Sequence, residues 1–249
     1  MRRVSRYTGF AAPLWRGLKA GRWTIGTRIK SAEEVVVLVH GLGTNGQLLM
    51  WRLAKRLKRA GYRPIIWSYP SFLCPIEKNG GKLLERLTEL DADPSVARIH
   101  LVTHSMGGIV ARYALYRHRP AKIGRFVMMA PPNQGSDLAT LFGPVLRWCF
   151  PAIDQLAARP GSFVNCLPKL EGVEIGIIDA SADFLVGRGK TFLACQRDHI
   201  VLPATHTLLA FQRRVGDEVL HFLASGCFSV SATRASCPDT DSGTDRRQS

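Results

Sequence analysis

The 249-residue sequence predicts an α/β fold: a mainly parallel sheet covered by helices on both faces, with a short helical cap or lid inserted in its second half. Three observations predict it. Short apolar runs rich in β-branched residues alternate with stretches of helical period. The first run, Val35 to His40, is unbroken by polar residues until its end, as strands buried on both faces are. The third, Arg98 to Thr103, stops abruptly at His104-Ser105 and leads straight into a glycine-bearing helix.

After the Val35 strand, Gln47 to Ala60 reads as a helix, Arg63 to Tyr69 as a strand and Lys82 to Leu90 as a second helix. The Arg98 strand passes into a helix from Gly107 to Arg117. Phe126 to Ala130, Val173 to Ile178 and His199 to Leu202 give the remaining strands, and Thr207 to Leu223 closes the fold as a helix. Between the Phe126 and Val173 strands lies Ser136 to Leu170, too long for a simple link. Its apolar residues recur at near-helical spacing. In an open α/β sheet it would lie over the carboxyl ends of the strands, where ligands bind, and Phe142 and Trp148 are its candidates for substrate contact. A helix that only packs on the sheet would use the same apolar stripe.

With 46% hydrophobic and 21% charged residues the chain can bury a full core. The expected organisation is a basic arm over 1–30, one domain over 31–228 with the cap or lid at 136–170, and a disordered tail over 229–249. Of the formal charge of +15, Arg2, Arg3, Arg6, Arg16, Lys19, Arg22, Arg28 and Lys30 supply eight, with no acidic residue before Glu33. The rest of the chain carries +7. Charge alone, without a recognition motif, predicts no specific nucleic-acid partner. An arm with Trp15 and Trp23 among its cations suits peripheral contact with an anionic membrane, and a solvated arm is the plainer alternative.

The apolar stretch Gly9 to Trp15 is short, contains Pro13 and lacks a small-residue cleavage pattern. No run approaches the roughly 18 to 20 apolar residues that span a bilayer. A cytoplasmic protein, at most peripheral to the membrane, is expected. Six cysteines are scattered without paired short spacing, so reduced thiols and no metal site are predicted.

Leu101-Val102-Thr103-His104-Ser105-Met106-Gly107-Gly108 places a serine between an apolar strand and a helix, the context of a nucleophile elbow. The sharp turn needs small residues two positions either side of the serine. Gly107 fits fully and Thr103 only adequately. An ordinary helix N-cap is the alternative role for Ser105. The helix start would aim the Met106 N–H at a developing oxyanion, and the loop His40-Gly41-Leu42-Gly43 offers a second donor, Leu42 N–H, with His40 and Gly41 on the substrate side.

A serine hydroxyl needs a base, and the base needs a carboxylate to fix its tautomer. With the order serine, acid, histidine, Asp183 follows the Val173 strand by a short loop, with Asp179 as its closer rival. His206 lies in the loop before the closing helix. His199, at a strand start, and His104, inside the elbow, fit structural roles better, and Asp198 fits a surface ion pair.

These motifs, together with Pro132-Asn133-Gln134-Gly135-Ser136, resemble those of the α/β-hydrolase superfamily and its bacterial lipase and esterase relatives, over about Val35 to Leu223. The blocks Ala182 to Val186 and Asp198 to Thr207 look like that family's acid and histidine loops. The resemblance implies two-step acyl transfer with Ser105 as nucleophile, His206 as base and Asp183 as orienting acid, on a small-molecule or lipid acyl ester, with no cofactor. A thioesterase or acyltransferase would use the same three residues. A non-catalytic scaffold binding a ligand or partner under the 136–170 connection is the alternative of another class.

Overall fold

Glu33–Val39 forms β1, and its side chains serve two cores at once. Val35, Val37 and Val39 enter one apolar cluster while Val36 and Leu38 enter the other, which is why the run carries no polar break. A computed structural model provides the coordinates and describes residues 32–146, 148–187, 189–229 and 233–234. The basic arm at 1–30 and most of the expected tail, with Cys237, lie outside the described residues.

The sheet has six parallel strands in the order β2-β1-β3-β4-β5-β6. These are β1, β2 (Arg63–Trp67), β3 (Val96–His104), β4 (Ile123–Met129), β5 (Ile175–Ala182) and β6 (Asp198–Thr205). Pro64 is tolerated in β2 because that strand is an edge. On one face α1 (Gly46–Arg59) and α7 (Arg213–Ser225) contribute Leu49, Leu53, Leu57, Val219 and Phe222 to the core. On the other, α2 (Ile76–Ala92) and α3 (Met106–Arg117) contribute Leu83, Leu87, Ile109 and Val110.

Asn45 starts α1 by accepting from the amides of Gln47 and Leu48. Gly226, in the left-handed region at φ 80°, ends α7.

Apart from shifts of one to three residues at other element ends, three elements depart from their expected bounds. α2 begins six residues before Lys82, through Asn79-Gly80-Gly81, a stretch of poor helix formers. Gly80 is there for packing: a Cβ would lie 2.5 Å from Tyr113 Cδ1 of α3. β5 runs on through the residues read as a loop, to Ala182, because it pairs with β6 as far as Thr205. The closing helix is two pieces, a 3₁₀ turn at Leu208–Phe211 and α7, separated by the extended residue Gln212.

Between β4 and β5 the chain forms α4 (Asp137–Leu146), α5 (Pro151–Gln155) and α6 (Phe163–Cys166). Of the expected tail, Ser229, Thr233 and Arg234 are described. Val201 N–H donates to the Thr233 carbonyl at 2.9 Å, and Arg234 Nε pairs with Asp198 at 3.0 Å. The described cysteines are free thiols.

Candidate active site

β3 ends on His104 and α3 begins at Met106, so one residue makes the whole turn. Ser105 has φ 52° and ψ −130°, a region that costs an L-residue about 1–3 kcal/mol and persists only where its surroundings enforce it. Here they do. Ser105 N–H donates to the Met129 carbonyl at 2.8 Å, and the Ser105 carbonyl accepts from Gly108 at 2.9 Å. α3 also presses on the exit of β1: a Cβ on Gly107 would lie 2.4 Å from the His40 carbonyl oxygen.

Thr103 is accommodated in turn by Gly108, where a Cβ would lie 3.3 Å from Thr103 Oγ1 and 2.6 Å from Met128 Cε. Ser105 holds the N-cap position, yet its side chain makes no capping bond. The strained backbone therefore has no local capping explanation.

The loop after β1 is fastened from behind. Tyr69 is buried, its hydroxyl donates to the His40 carbonyl at 2.8 Å, and its ring stacks on the His40 imidazole at 4.4 Å. Gly43, at φ 67°, donates its amide to Ser71 Oγ at 3.0 Å, and Thr44 Oγ1 donates to the Gly41 carbonyl at 3.1 Å. His40 itself points into this support. Its Nδ1 lies 2.8 Å from the Gly41 carbonyl, its Nε2 accepts from Tyr69 N–H at 3.3 Å, and burial holds its pKa below the ordinary imidazole value. The amides of Leu42 and Met106 meet no acceptor among the described residues.

Asp183 stands immediately after β5. Its Oδ1 accepts from the amides of Leu185 and Val186, both at 3.0 Å, and its Oδ2 lies 2.6 Å from His206 Nδ1. Both side chains are buried. Burial pushes the Asp183 carboxyl up, but the hydrogen bond and charge of His206 and the two amides outweigh it and hold the pKa below the carboxylate range. With Nδ1 taken, His206 has Nε2 left for a second partner. Ser105 and His206 line the same cavity. No hydrogen bond joins Ser105 Oγ to the imidazole, whose side-chain hydrogen-bond partner among the described residues is Asp183.

Asp179 makes no hydrogen bond to His206, although its carboxylate interacts electrostatically with both Asp183 and His206. Its carboxylate accepts from Ala180 N–H and Thr191 Oγ1, and burial raises its pKa. His199 lies against Thr191 and Gln196, with burial lowering its pKa to about 4. His104, expected in a structural role inside the elbow, is among the residues that line the cavity, and its Nε2 lies 3.0 Å from the His206 carbonyl. Tyr69 and Ser136 were also missed. Ser136 Oγ donates to the Leu185 carbonyl at 2.5 Å and so ties the start of α4 to the acid loop. Neither a lone strand-end tyrosine nor a serine in a turn signals such a bond in sequence.

The cavity holds about 300 Å³ over Gly41, Leu42, Ser105 and His206, and Leu138, Phe142 and Leu146 of the 136–170 connection form its apolar side. Trp148 is 84% exposed and does not line it, nor does His40. Among the described residues no cluster of side chains is suited to hold a metal ion, and no helix is long and apolar enough to cross a membrane.

The sequence profile of the "Alpha/beta hydrolase family" matches residues 36–227. No curated protein matches the chain. Among solved structures, a Bacillus licheniformis lipase in mature form is 17% identical with a TM-score of 0.53, covering 70% of this chain and 84% of that one. In the propeptide form of the same lipase the match spans 53% of that chain. A Paleococcus ferrophilus monoacylglycerol lipase is 17% identical with a TM-score of 0.58, covering 79% and 96%. A type II thioesterase of the yersiniabactin pathway is 16% identical with a TM-score of 0.57, covering 81% and 96%. At such identities these likenesses concern the fold.

Proposed function

The chain belongs to the α/β hydrolase family, and from that premise we propose that it is a serine hydrolase of carboxylic esters, of the lipase or esterase kind. The observation that carries this reading is the 2.6 Å bond from His206 Nδ1 to a buried Asp183, beside a serine held at positive φ in the wall of an apolar cavity. The bond fixes the imidazole with Nε2 as its proton-accepting atom.

In this mechanism His206 Nε2 takes the Ser105 hydroxyl proton as Oγ attacks the ester carbonyl. The Leu42 and Met106 amides stabilise the tetrahedral oxyanion. The imidazolium then returns its proton to the leaving alcohol, and water activated by the same nitrogen frees the acid and regenerates Ser105. The charge that grows on the imidazole faces the Asp183 carboxylate, whose pKa its partners hold below the carboxylate range. The chemistry needs no cofactor.

Leu138, Phe142 and Leu146 give the acyl group an apolar wall, and α4 to α6 act as the cap of the site. A thioester differs only in its leaving group, so substrate class is decided by turnover. The test is a chain-length series of nitrophenyl esters and acyl thioesters with wild type and Ser105→Ala. Ester turnover that disappears in the variant supports the reading. Turnover of thioesters alone transfers the same triad to a thioesterase, and no turnover of either refutes both.

A further inference from the structure

Cations gather on one flank of the domain, on α1 and at the start of α7. α1 holds Arg52, Lys55, Arg56, Lys58 and Arg59 and no acidic residue, although like charges three or four positions apart oppose one another on a helix. Facing it, the first turn of α7 holds Arg213 and Arg214 and no acid. Between the two helices lies a cavity of about 310 Å³ lined by Arg52, Lys55, Arg56, Arg59 and Arg213, with no acidic residue in its wall among the described residues. A wider groove of about 620 Å³ shares Arg56, Arg59 and Arg213 with it. Counting Asp217 beside Arg56, the five cations that line this cavity leave a local net charge of +4.

One of these guanidinium groups is fixed in advance. Arg56 Nη1 donates to the Arg213 carbonyl at 2.8 Å, and Nη2 pairs with Asp217. Gly216 provides the space, since a Cβ there would lie 3.0 Å from Arg56 Cδ and Nε. Glycine inside a helix otherwise costs about 1 kcal/mol against alanine, so the position favours the arginine over the helix. Arg52, Lys55, Arg59 and Arg213 meet no carboxylate among the described residues. The Arg52 guanidinium lies over the Trp51 ring, 5.5 Å from its centroid.

We propose that the cavity between α1 and α7 binds a small phosphate-bearing anion, a phosphomonoester or diphosphate, either free or as a lipid headgroup. The planar forks of Arg52, Arg59 and Arg213 match phosphate oxygens in pairs, and Lys55 adds a point charge. The cavity is at the small end of the range for ligand sites. An anion among these cations offsets their mutual repulsion. The site is independent of the chemistry at Ser105, so its test does not depend on that of the triad.

The test is calorimetric titration of pyrophosphate into the full chain at constant ionic strength. A one-to-one isotherm is expected, weakened about tenfold or more in Lys55→Glu/Arg59→Glu, the scale of losing a hydrogen bond to a charged group. Lys78→Glu/Lys82→Glu on α2 makes the same change in net charge and is expected to bind within about twofold of wild type, since distant exposed charges are screened. Lys55→Gln/Arg59→Gln removes the cations without adding acids and gives a second, milder reading if the reversal impairs folding.

Equal weakening in the α1 and α2 variants, or the lack of a one-to-one isotherm, overturns the proposal. Sedimentation with phosphatidylglycerol and phosphatidylcholine vesicles distinguishes the sources. Pyrophosphate-displaceable binding to the former only, lost in Lys55→Glu/Arg59→Glu, identifies a headgroup; pyrophosphate binding without it identifies a soluble anion.

Discussion

His104 Nε2 lies 3.0 Å from the carbonyl oxygen of His206, with the two rings 4.9 Å apart. Since a carbonyl only accepts, Nε2 carries the proton. Burial first, and then the charge of His206, lower the His104 pKa to about 4, so the ring is neutral, and its buried Nδ1 has no hydrogen-bond partner among the described residues. The last residue of β3 thus grips the backbone of the loop that presents the proposed base.

His104→Ala should therefore lower kcat for a good ester by about 10- to 100-fold, the scale of an ångström's misplacement, with KM changed little. His104→Gln, which keeps an amide donor near the same place, should recover most of the loss. Steady-state kinetics of both variants checks this; a wild-type kcat in His104→Ala would remove the residue from any positioning role.

Asp183→Asn leaves the shape and removes the charge that fixes the His206 tautomer. A fall in kcat of about 10³- to 10⁴-fold is expected, the magnitude known for the same change in the serine-protease triad. Asp179→Asn, whose partners are Ala180 and Thr191, should cost under about tenfold. If Asp179→Asn proves the more damaging of the two, the acid has been misassigned.

His104 and His199 are both held to about 4 in the folded chain, chiefly by burial, against 6.5 for a free imidazole. Between those values the unfolded chain binds more protons than the folded one. Stability therefore rises with pH through this window, is fully present above about 6.5 and is lost as pH falls toward 4, by on the order of 1 kcal/mol per pH unit for each histidine. Melting temperatures between pH 7 and pH 4.5 should fall accordingly, and His104→Gln/His199→Gln should flatten the slope. An unchanged slope in the double variant would contradict the assignment.

Most of this architecture was legible because parallel strands buried on both faces leave an uninterrupted apolar signature, as Val35 to Val39 does. The elbow was legible because strand, serine and glycine-rich helix start lie in one contiguous segment. What escaped depends on contacts distant in sequence. Gly80 hides the start of α2 until Tyr113 is seen above it, and the end of β5 depends on its pairing with β6. Trp148 shares the helical spacing of Phe142 but lies two residues past the end of α4, which takes it out of the cavity. The charge total concealed the cluster on α1, since composition carries no direction.

Gly107→Ala tests the elbow through stability. The added methyl would meet two backbone oxygens, those of His40 and Val39 at 2.4 and 2.7 Å, which cannot swing aside as a side chain would. A loss of about 3 kcal/mol or more by denaturant unfolding is expected. Wild-type stability would show that α3 does not pack against β1 as described.

The most direct measurement is the site of modification by a fluorophosphonate probe, located by peptide mass spectrometry. One adduct on Ser105 is predicted, absent from Ser105→Ala and slowed about 10³-fold or more in Asp183→Asn. A wild-type chain that stays unmodified, or carries its adduct on another residue, would contradict the account.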